Sequence, residues 1–310
     1  MSETYQNRNS SRPSYALVSA AYNEEKLIEK VIQSIVAQTV PPQKWVIVSD
    51  GSTDRTDEIV KSYAARYNFI ELYRITEDHP RNFTAQVNAI NAGFRKVLDL
   101  DVDFIGNLDS DITLDPTYFE LLLKEFVKDP TLGLAGGAIY EEREGVFQTR
   151  GANSANSVAH GVQLFRSECL RALGGYTPFT WGGSDTHAEV RMRMLGKRVQ
   201  SLPGFKAYHH RPTGKGFGFS RYQFRGGMMD YYLGTHPLFE MARLIRRIPG
   251  KPFAVGSIVR LAGFLYAYVS GQKREVSPEF MRFLRKEQMQ RLLGASPTGE
   301  QSTGTAVGRS

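Results

Sequence analysis

A mixed α/β fold, with a central sheet flanked by helices and a helical extension at the C-terminal end, is what this chain of 310 residues predicts. Three observations carry the prediction. Short β-prone apolar runs alternate with amphipathic helical stretches through the first half of the chain, the pattern of strands covered by helices on both faces. Apolar residues make up 41% of the sequence, enough for one large domain and an accessory segment. Two acidic turns, Asp50-Gly51-Ser52-Thr53-Asp54 and Asp109-Ser110-Asp111, each directly follow one of the apolar runs, and ligands of open α/β sheets bind outside the carboxyl ends of strands.

Residues 15–20 form the first predicted strand, followed by Tyr22-Asn23-Glu24-Glu25 and a helix with Leu27, Ile28, Val31, Ile32 and Ile35 on one face. Residues 45–49 form the next strand and end at Asp50; Ser52 or Thr53 is placed to cap the helix that carries Ile59, Val60 and Tyr63. A third strand over 70–75, a helix over 85–98 and a fourth strand over 104–108 complete a parallel half. Residues 116–128 predict a helix opened by a proline. Beyond it the periodicity predicts strands at 132–140, 147–149 and 161–165, and helices at 168–173 and 186–195, each helix ended by glycine. Strands at 198–202 and 206–209 then lead through His209 and His210 into a glycine-rich loop.

Pattern and composition divide the chain into a flexible tail at 1–13, an α/β domain at 14–215 that carries the acidic turns, a helical segment at 216–293 and a disordered tail at 294–310. Residues 2–14 are polar and lack the apolar core of a signal peptide, and Cys169 is the lone cysteine, so a cytoplasmic protein without disulfides is expected. Net charge is +7, with the basic excess late in the chain, which suits an anionic surface; no nucleic-acid-binding motif accompanies it, so membrane ranks above nucleic acid. Residues 252–271 are mostly apolar but carry Arg260 near the centre. A central arginine costs about 2.5 to 3.5 kcal/mol on insertion scales, so a helix lying on the membrane interface is preferred to one that spans. Burial against protein, or in a homo-oligomer formed by the C-terminal helices, is the alternative.

Position separates Asp109-Ser110-Asp111 from the neighbouring Asp99-Leu100-Asp101 and Asp101-Val102-Asp103: it leaves a strand's carboxyl end, and they enter it. Carboxylates there suit a nucleotide sugar whose diphosphate leaves with a divalent cation. Asp111 is the first choice of metal ligand, with Asp109 on the metal or the ribose, and oxygen ligands favour Mg²⁺ or Mn²⁺.

The ordered segments Ala20-Ala21-Tyr22-Asn23-Glu24-Glu25, Ser49-Asp50-Gly51-Ser52-Thr53-Asp54, Asn88-Ala89-Ile90-Asn91-Ala92-Gly93 and Asp109-Ser110-Asp111 resemble glycosyltransferase family 2, and the likeness extends through Gly174-Gly175-Tyr176 and Asp185 to about Gly214. The resemblance implies a GT-A fold, a Rossmann-like sheet, and an inverting reaction on a nucleotide-diphosphate sugar, UDP-sugars being favoured. It assigns Ala21, Tyr22, Glu24 and Asp50 to the nucleoside, Asp109 and Asp111 to ribose and metal, and Asp185 to the general base. Arg81 is a candidate for the diphosphate, and His210 is preferred to His209 for completing the metal site. The family's Glu before the base is replaced by Ser184, which alters the acceptor side formed with Trp181 and Gly182. Lys215 and Arg221, in and beyond the glycine loop, are placed to close over phosphates.

The motif of processive members, Gln-x-x-Arg-Trp, is missing, so transfer of one sugar to a hydroxyl acceptor is expected, with a lipid-linked acceptor in polysaccharide or glycolipid assembly suiting the basic C-terminal helices. The alternatives are a sugar-phosphate nucleotidyltransferase, against which the acidic stretch at 21–25 counts, and a catalytically degenerate nucleotide-sugar or membrane-surface binding protein.

Overall fold

The first apolar runs form strands buried on both faces. β1 (Tyr15–Ala21) and β2 (Lys44–Asp50) pair in parallel, as do β2 with β3 (Ile70–Ile75) and β1 with β4 (Phe104–Asn107). β1, β2 and β4 have no solvated side, so they carry continuous apolar runs instead of an alternating pattern, while β3, at the sheet edge, is only half-buried and carries Glu71 and Arg74. Trp45 is fully buried, and its indole N–H donates to Ser19 Oγ at 2.9 Å, so the polar atom entering the core is paired. The computed structural model describes residues 12–76, 82–149, 155–211, 218–248 and 254–294. It divides into two units, Met1–Lys215 and Gly216–Ser310.

The helices of the parallel half are α1 (Ile28–Val36), α2 (Thr56–Ala64) and α3 (Phe83–Val97). α1 buries Ile28, Val31, Ile32 and Ile35, the spacing of one helical face. α3 lies so close to the sheet that a Cβ on Gly93 would stand 2.3 Å from Val18 Cγ1, and glycine is what permits the approach. The expected Ser52 or Thr53 cap of α2 is replaced by Asp54, whose Oδ1 accepts from the Thr56 N–H at 3.0 Å and from its hydroxyl at 2.5 Å. Asp54 stands two residues before the helix, where a side-chain oxygen reaches the first free N–H groups.

The mixed half contains β5 (Ile112–Leu114), α4 (Tyr118–Lys128), β6 (Leu132–Arg143), β7 (Val146–Thr149), β8 (Leu164–Arg166), α5 (Ser167–Leu173), α6 (Ser184–Met194) and β9 (Arg198–His209). The strand order is β3-β2-β1-β4-β8-β6-β9-β5, with β7 paired to β6. β8 runs antiparallel to β4 and β6, β9 parallel to β6, and β5 antiparallel to β9. The two strands predicted at 198–202 and 206–209 are one strand with a register shift: Gly137 pairs with Leu202, and the next residue, Ala138, with Lys206. Pro203 lies in the skipped stretch, where its missing N–H would otherwise break the ladder. The strand expected at 161–165 begins instead as a 3-10 turn, His160–Val162, before β8.

The second unit is helical: α7 (Phe219–Tyr232), α8 (Pro237–Arg247), α9 (Val255–Val269) and α10 (Pro278–Leu292). Its buried polar centre accounts for Arg260. The guanidinium meets Asp230 through Nε at 2.8 Å and Nη2 at 2.5 Å, while Arg243 reaches the same carboxylate at 2.5 Å and also bonds Glu240. Burial pushes the Asp230 carboxyl up, but Arg243 and Arg260 outweigh it and hold it below the ordinary range. Arg260 therefore serves the interior of this unit. Among the described residues no helix is long and apolar enough to cross a membrane.

Asp230→Ala would leave the buried Arg260 and the half-buried Arg243 with Glu240 as the one carboxylate between them, and breaking a buried pair costs about 3 to 5 kcal/mol. Urea unfolding followed by circular dichroism is expected to record a loss of that size, with Leu261→Ala, at a less buried position of α9, losing less.

Candidate functional site

The turns after β1 and β2 are joined through side chains. Asn23 has φ 53°, a left-handed conformation that asparagine tolerates, and its Oδ1 accepts from the Thr53 N–H at 2.8 Å. The N–H groups of Asn23, Glu24 and Glu25 donate to Ser52 Oγ, Thr56 Oγ1 and Asp54 Oδ2 at 3.2, 2.7 and 3.0 Å. Residues 23–25 and 52–56 are thus two halves of one wall. Ala21 closes β1 and is buried, Asp50 closes β2 and is 5% exposed, and Tyr22 stands at the rim, 43% exposed.

Three carboxylates meet electrostatically beyond this wall. Asp109 follows β4; its N–H donates to the Gly161 carbonyl at 3.0 Å, and its Oδ1 accepts from Asn107 Nδ2 at 3.3 Å. A Cβ on Gly161 would stand 2.4 Å from Asp109 Oδ2, so glycine leaves the carboxylate its place. Asp111 precedes β5 and lies 3.3 Å from His209 Nε2 and 4.0 Å from Arg211 Nη1. Arg211 holds Glu24 bidentately, at 3.0 and 2.6 Å. Burial pushes the Asp109 carboxyl up and Asp111 adds to it, against His160 and His209. Glu24 is raised by burial, with Arg211 opposing and Asp111 and Asp109 reinforcing. His209 is lowered by burial but raised by more through Asp111, and ends above its ordinary range.

This donor set fits a divalent cation. Asp109 and Asp111 supply hard oxygen ligands, and their mutual repulsion is a charge that a cation would relieve. Among the described residues no group of three or more acidic, histidine or cysteine side chains is gathered to hold a metal by itself, so phosphate and water would fill further positions. His210, expected to complete the metal site, turns its Nε2 to Thr113 Oγ1 at 2.9 Å and its Nδ1 toward Glu142 at 3.5 Å. The imidazole beside Asp111 is that of His209. β5 pairs Ile112 with His209, and successive strand residues point to opposite faces, so the pairing selects one histidine of the two. Arg81 and Lys215 lie outside the described residues, and Arg221 lies in α7 of the second unit.

The residues expected on the acceptor side gather at the start of α6. Gly182 and Gly183 have φ 89° and 95°, Trp181 is half-buried before them, and Asp185 Oδ1 accepts from the Thr186 N–H at 2.8 Å. The Ser184 hydroxyl is committed to the Thr177 carbonyl at 2.6 Å. Tyr176 ties this region to the rest: its N–H and carbonyl bond the Asn91 side chain at 2.9 and 2.7 Å, which explains Asn91 in the α3 segment. Its phenol is pushed well up by burial first, then by Asp185, Asp109 and Glu189 together.

His160 and Arg211 stand out only in the structure, and they are joined by His209, placed second to His210 in sequence, and by Glu189, placed second to Asp185. Glu189, one turn beyond Asp185, is buried, and its Oε1 accepts from the Val158 N–H at 2.7 Å and from Ser157 Oγ at 3.0 Å. It thereby fastens α6 to the turn that carries His160 and Gly161 against Asp109. Burial, with Asp185 next, pushes its carboxyl up to about 8. The i, i+4 spacing of two acids on one helix face is the signal that marks it in sequence.

Residues 17–185, more than half of the chain, match the model of Glycosyl transferase family 2. The chain belongs to glycosyltransferase family 2. Poly-beta-1,6-N-acetyl-D-glucosamine synthase of Staphylococcus epidermidis is 25% identical over 122 residues, covering 38% of this chain and 26% of that one. The chain thus matches about a quarter of the length of that relative. A mannosyltransferase from Pyrobaculum calidifontis, solved with GDP-Man and Mn²⁺, superposes with TM-score 0.55 at 19% identity, covering 91% of this chain and 81% of the other. TarS residues 1-349 of S. aureus, solved with UDP-GlcNAc, gives TM-score 0.53 at 16% identity over 92% and 82%. The fold is that of GT-A glycosyltransferases.

Because the Glu189 carboxyl is raised in the folded protein, folding favours its neutral form. Stability is fully present below the ordinary carboxylate range and declines as pH rises toward about 8. Glu189→Gln keeps an acceptor for Val158 and removes the charge, so thermal unfolding of this variant is expected to lose less stability between acid and alkaline pH than wild type.

Proposed function

We propose that this enzyme transfers one sugar from a nucleotide-diphosphate sugar, with UDP as the favoured nucleotide, to a hydroxyl acceptor, inverting the anomeric centre. The observation that carries the reading is the pairing, within one unit, of the Glu24, Asp109 and Asp111 cluster with a separate carboxylate, Asp185, at the start of α6. Both sides act on the Tyr176 phenol. The solved relatives supply the chemical precedent, one holding GDP-Man and Mn²⁺ and the other UDP-GlcNAc.

In this reading Ala21, Tyr22, Glu24 and Asp50 hold the nucleoside, and Arg81 meets the diphosphate. Asp111 and Asp109 would hold Mg²⁺ or Mn²⁺, which would supply positive charge to the departing diphosphate, and His209, not His210, is the imidazole beside Asp111. Asp185 accepts the proton of the acceptor hydroxyl as that oxygen bonds to the anomeric carbon. The bond from that carbon to the diphosphate oxygen breaks with its electron pair leaving on the oxygen. Tyr176 and Glu189 fix the distance between the two halves. Trp181, Gly182 and Ser184 border the acceptor; position 184, a serine, brings no second carboxylate, and its hydroxyl is bonded to the Thr177 carbonyl. The setting is peripheral, at the cytoplasmic face of a membrane, in polysaccharide or glycolipid assembly.

Asp185→Asn is expected to bind UDP as wild type does while sugar transfer falls by about 100-fold or more, the ordinary contribution of general-base catalysis. Transfer retained near the wild-type rate would remove Asp185 as the base. Asp111→Asn is expected to abolish the stimulation of donor hydrolysis by Mn²⁺; stimulation equal to wild type would remove it from the metal site.

A further inference from the structure

α8 and α9 each carry an apolar stripe on the side turned to solvent. α9 buries Arg260, Gly263, Phe264 and Ala267, yet turns Ile258, Leu265 and Val269 to solvent, with exposures of 64, 48 and 83%. Their spacing, seven and then four residues, is one helical stripe. α8 buries Glu240 and Leu244 and exposes Leu238, Met241 and Ile245, again at three- and four-residue steps. The two helices adjoin, the Ser257 hydroxyl donating to the Leu244 carbonyl at 3.0 Å. A helix whose other face met water would place its charges outward and its apolar residues inward.

We propose that these two stripes dock on an anionic lipid surface, with the helices lying along it. Charge selects this occupant. Across residues 237–248 and 254–274 Glu240 is the sole acid, and it is 1% exposed, bonded to Arg243. Arg246, Arg247 and Lys273 are exposed, so the outward charge is of one sign. A second copy meeting the same patch across a two-fold axis would bring these cations toward their own equivalents, whereas acidic headgroups neutralise them. Tyr266 and Tyr268, 57 and 58% exposed, flank the stripe of α9, and their rings, apolar with a polar tip, suit the headgroup level. α9 has 15 residues, which at 1.5 Å each span about 22 Å, short of a hydrocarbon core of about 30 Å. The inference deepens the peripheral setting proposed above and rests on it, but not on the transfer chemistry.

The test is sedimentation of the full chain with vesicles of phosphatidylcholine alone and of phosphatidylcholine mixed with phosphatidylglycerol, at low and high salt, alongside sedimentation velocity without lipid. Wild type is expected to bind the mixed vesicles, to bind neutral ones weakly, and to release as salt rises. Ile258→Glu, at an exposed position, is expected to keep its helical circular dichroism and to bind about tenfold more weakly, the value of one buried aliphatic side chain or more. Arg246→Glu with Arg247→Glu is expected to erase the preference for acidic lipid. Absence of wild-type binding, or equal binding by Ile258→Glu, overturns the proposal. So does a dimer that Ile258→Glu dissociates while vesicle binding is unchanged, since the face then belongs to a second copy. Donor hydrolysis measured on the same preparations separates the two readings: intact hydrolysis without vesicle binding sinks the docking surface and leaves the transfer chemistry standing.

Discussion

The site depends on one electrostatic constraint, the gathering of Glu24, Asp109 and Asp111 at the carboxyl ends of β1 and β4. Unit charges about 4 Å apart interact by about 4 kcal/mol at an effective dielectric of about 20, a large share of a domain's stability of about 5 to 15 kcal/mol. Like charges partly withdrawn from water therefore require cations. Here Arg211 answers Glu24, His209 answers Asp111 and His160 stands near Asp109. The chain brings these partners from far along the sequence: β9 delivers His209 and Arg211 to the cluster by pairing with β5, and the 3-10 turn before β8 delivers His160 and Gly161. The mixed half of the sheet thus completes a site that the parallel half begins.

The parallel half was legible because its determinants are local. Buried strands are continuous apolar runs, α1 repeats its apolar residues at helical spacing, and the acidic turns sit at the ends of those runs. The mixed half was legible only in part. β5 has three residues, too few for a periodic signal, and without it nothing in the sequence decides between His209 and His210. Asp54 replaces Ser52 or Thr53 as the cap of α2 because Asn23 engages the Thr53 N–H and Ser52 Oγ takes that of Asn23, bonds between turns separated by a whole helix. Glu189 carries a visible i, i+4 relation to Asp185, but its partner at Val158 depends on tertiary packing.

The helical unit departs from the usual distribution of polarity in two places. Its centre holds Asp230, Glu240, Arg243 and Arg260, while apolar residues of α8 and α9 face outward. Arg260 illustrates how a sequence feature changes meaning once its partner is known. As a charge in the middle of an apolar stretch it opposes insertion; bonded to Asp230 on the inner face of α9, it leaves the outer face wholly apolar and free of that cost. The same stretch is therefore compatible with an apolar surface without being able to span one.

The claim that the acidic cluster is the diphosphate end of the site, completed by a cation, is met most directly by calorimetric titration of UDP into the protein with Mn²⁺ and with a chelator in its place. Binding with Mn²⁺ that weakens by about tenfold or more with the chelator is the predicted result, since the carboxylates then repel the diphosphate unscreened. Equal affinity in both conditions would contradict it, and would assign the compensation of Glu24, Asp109 and Asp111 to Arg211 and the histidines alone.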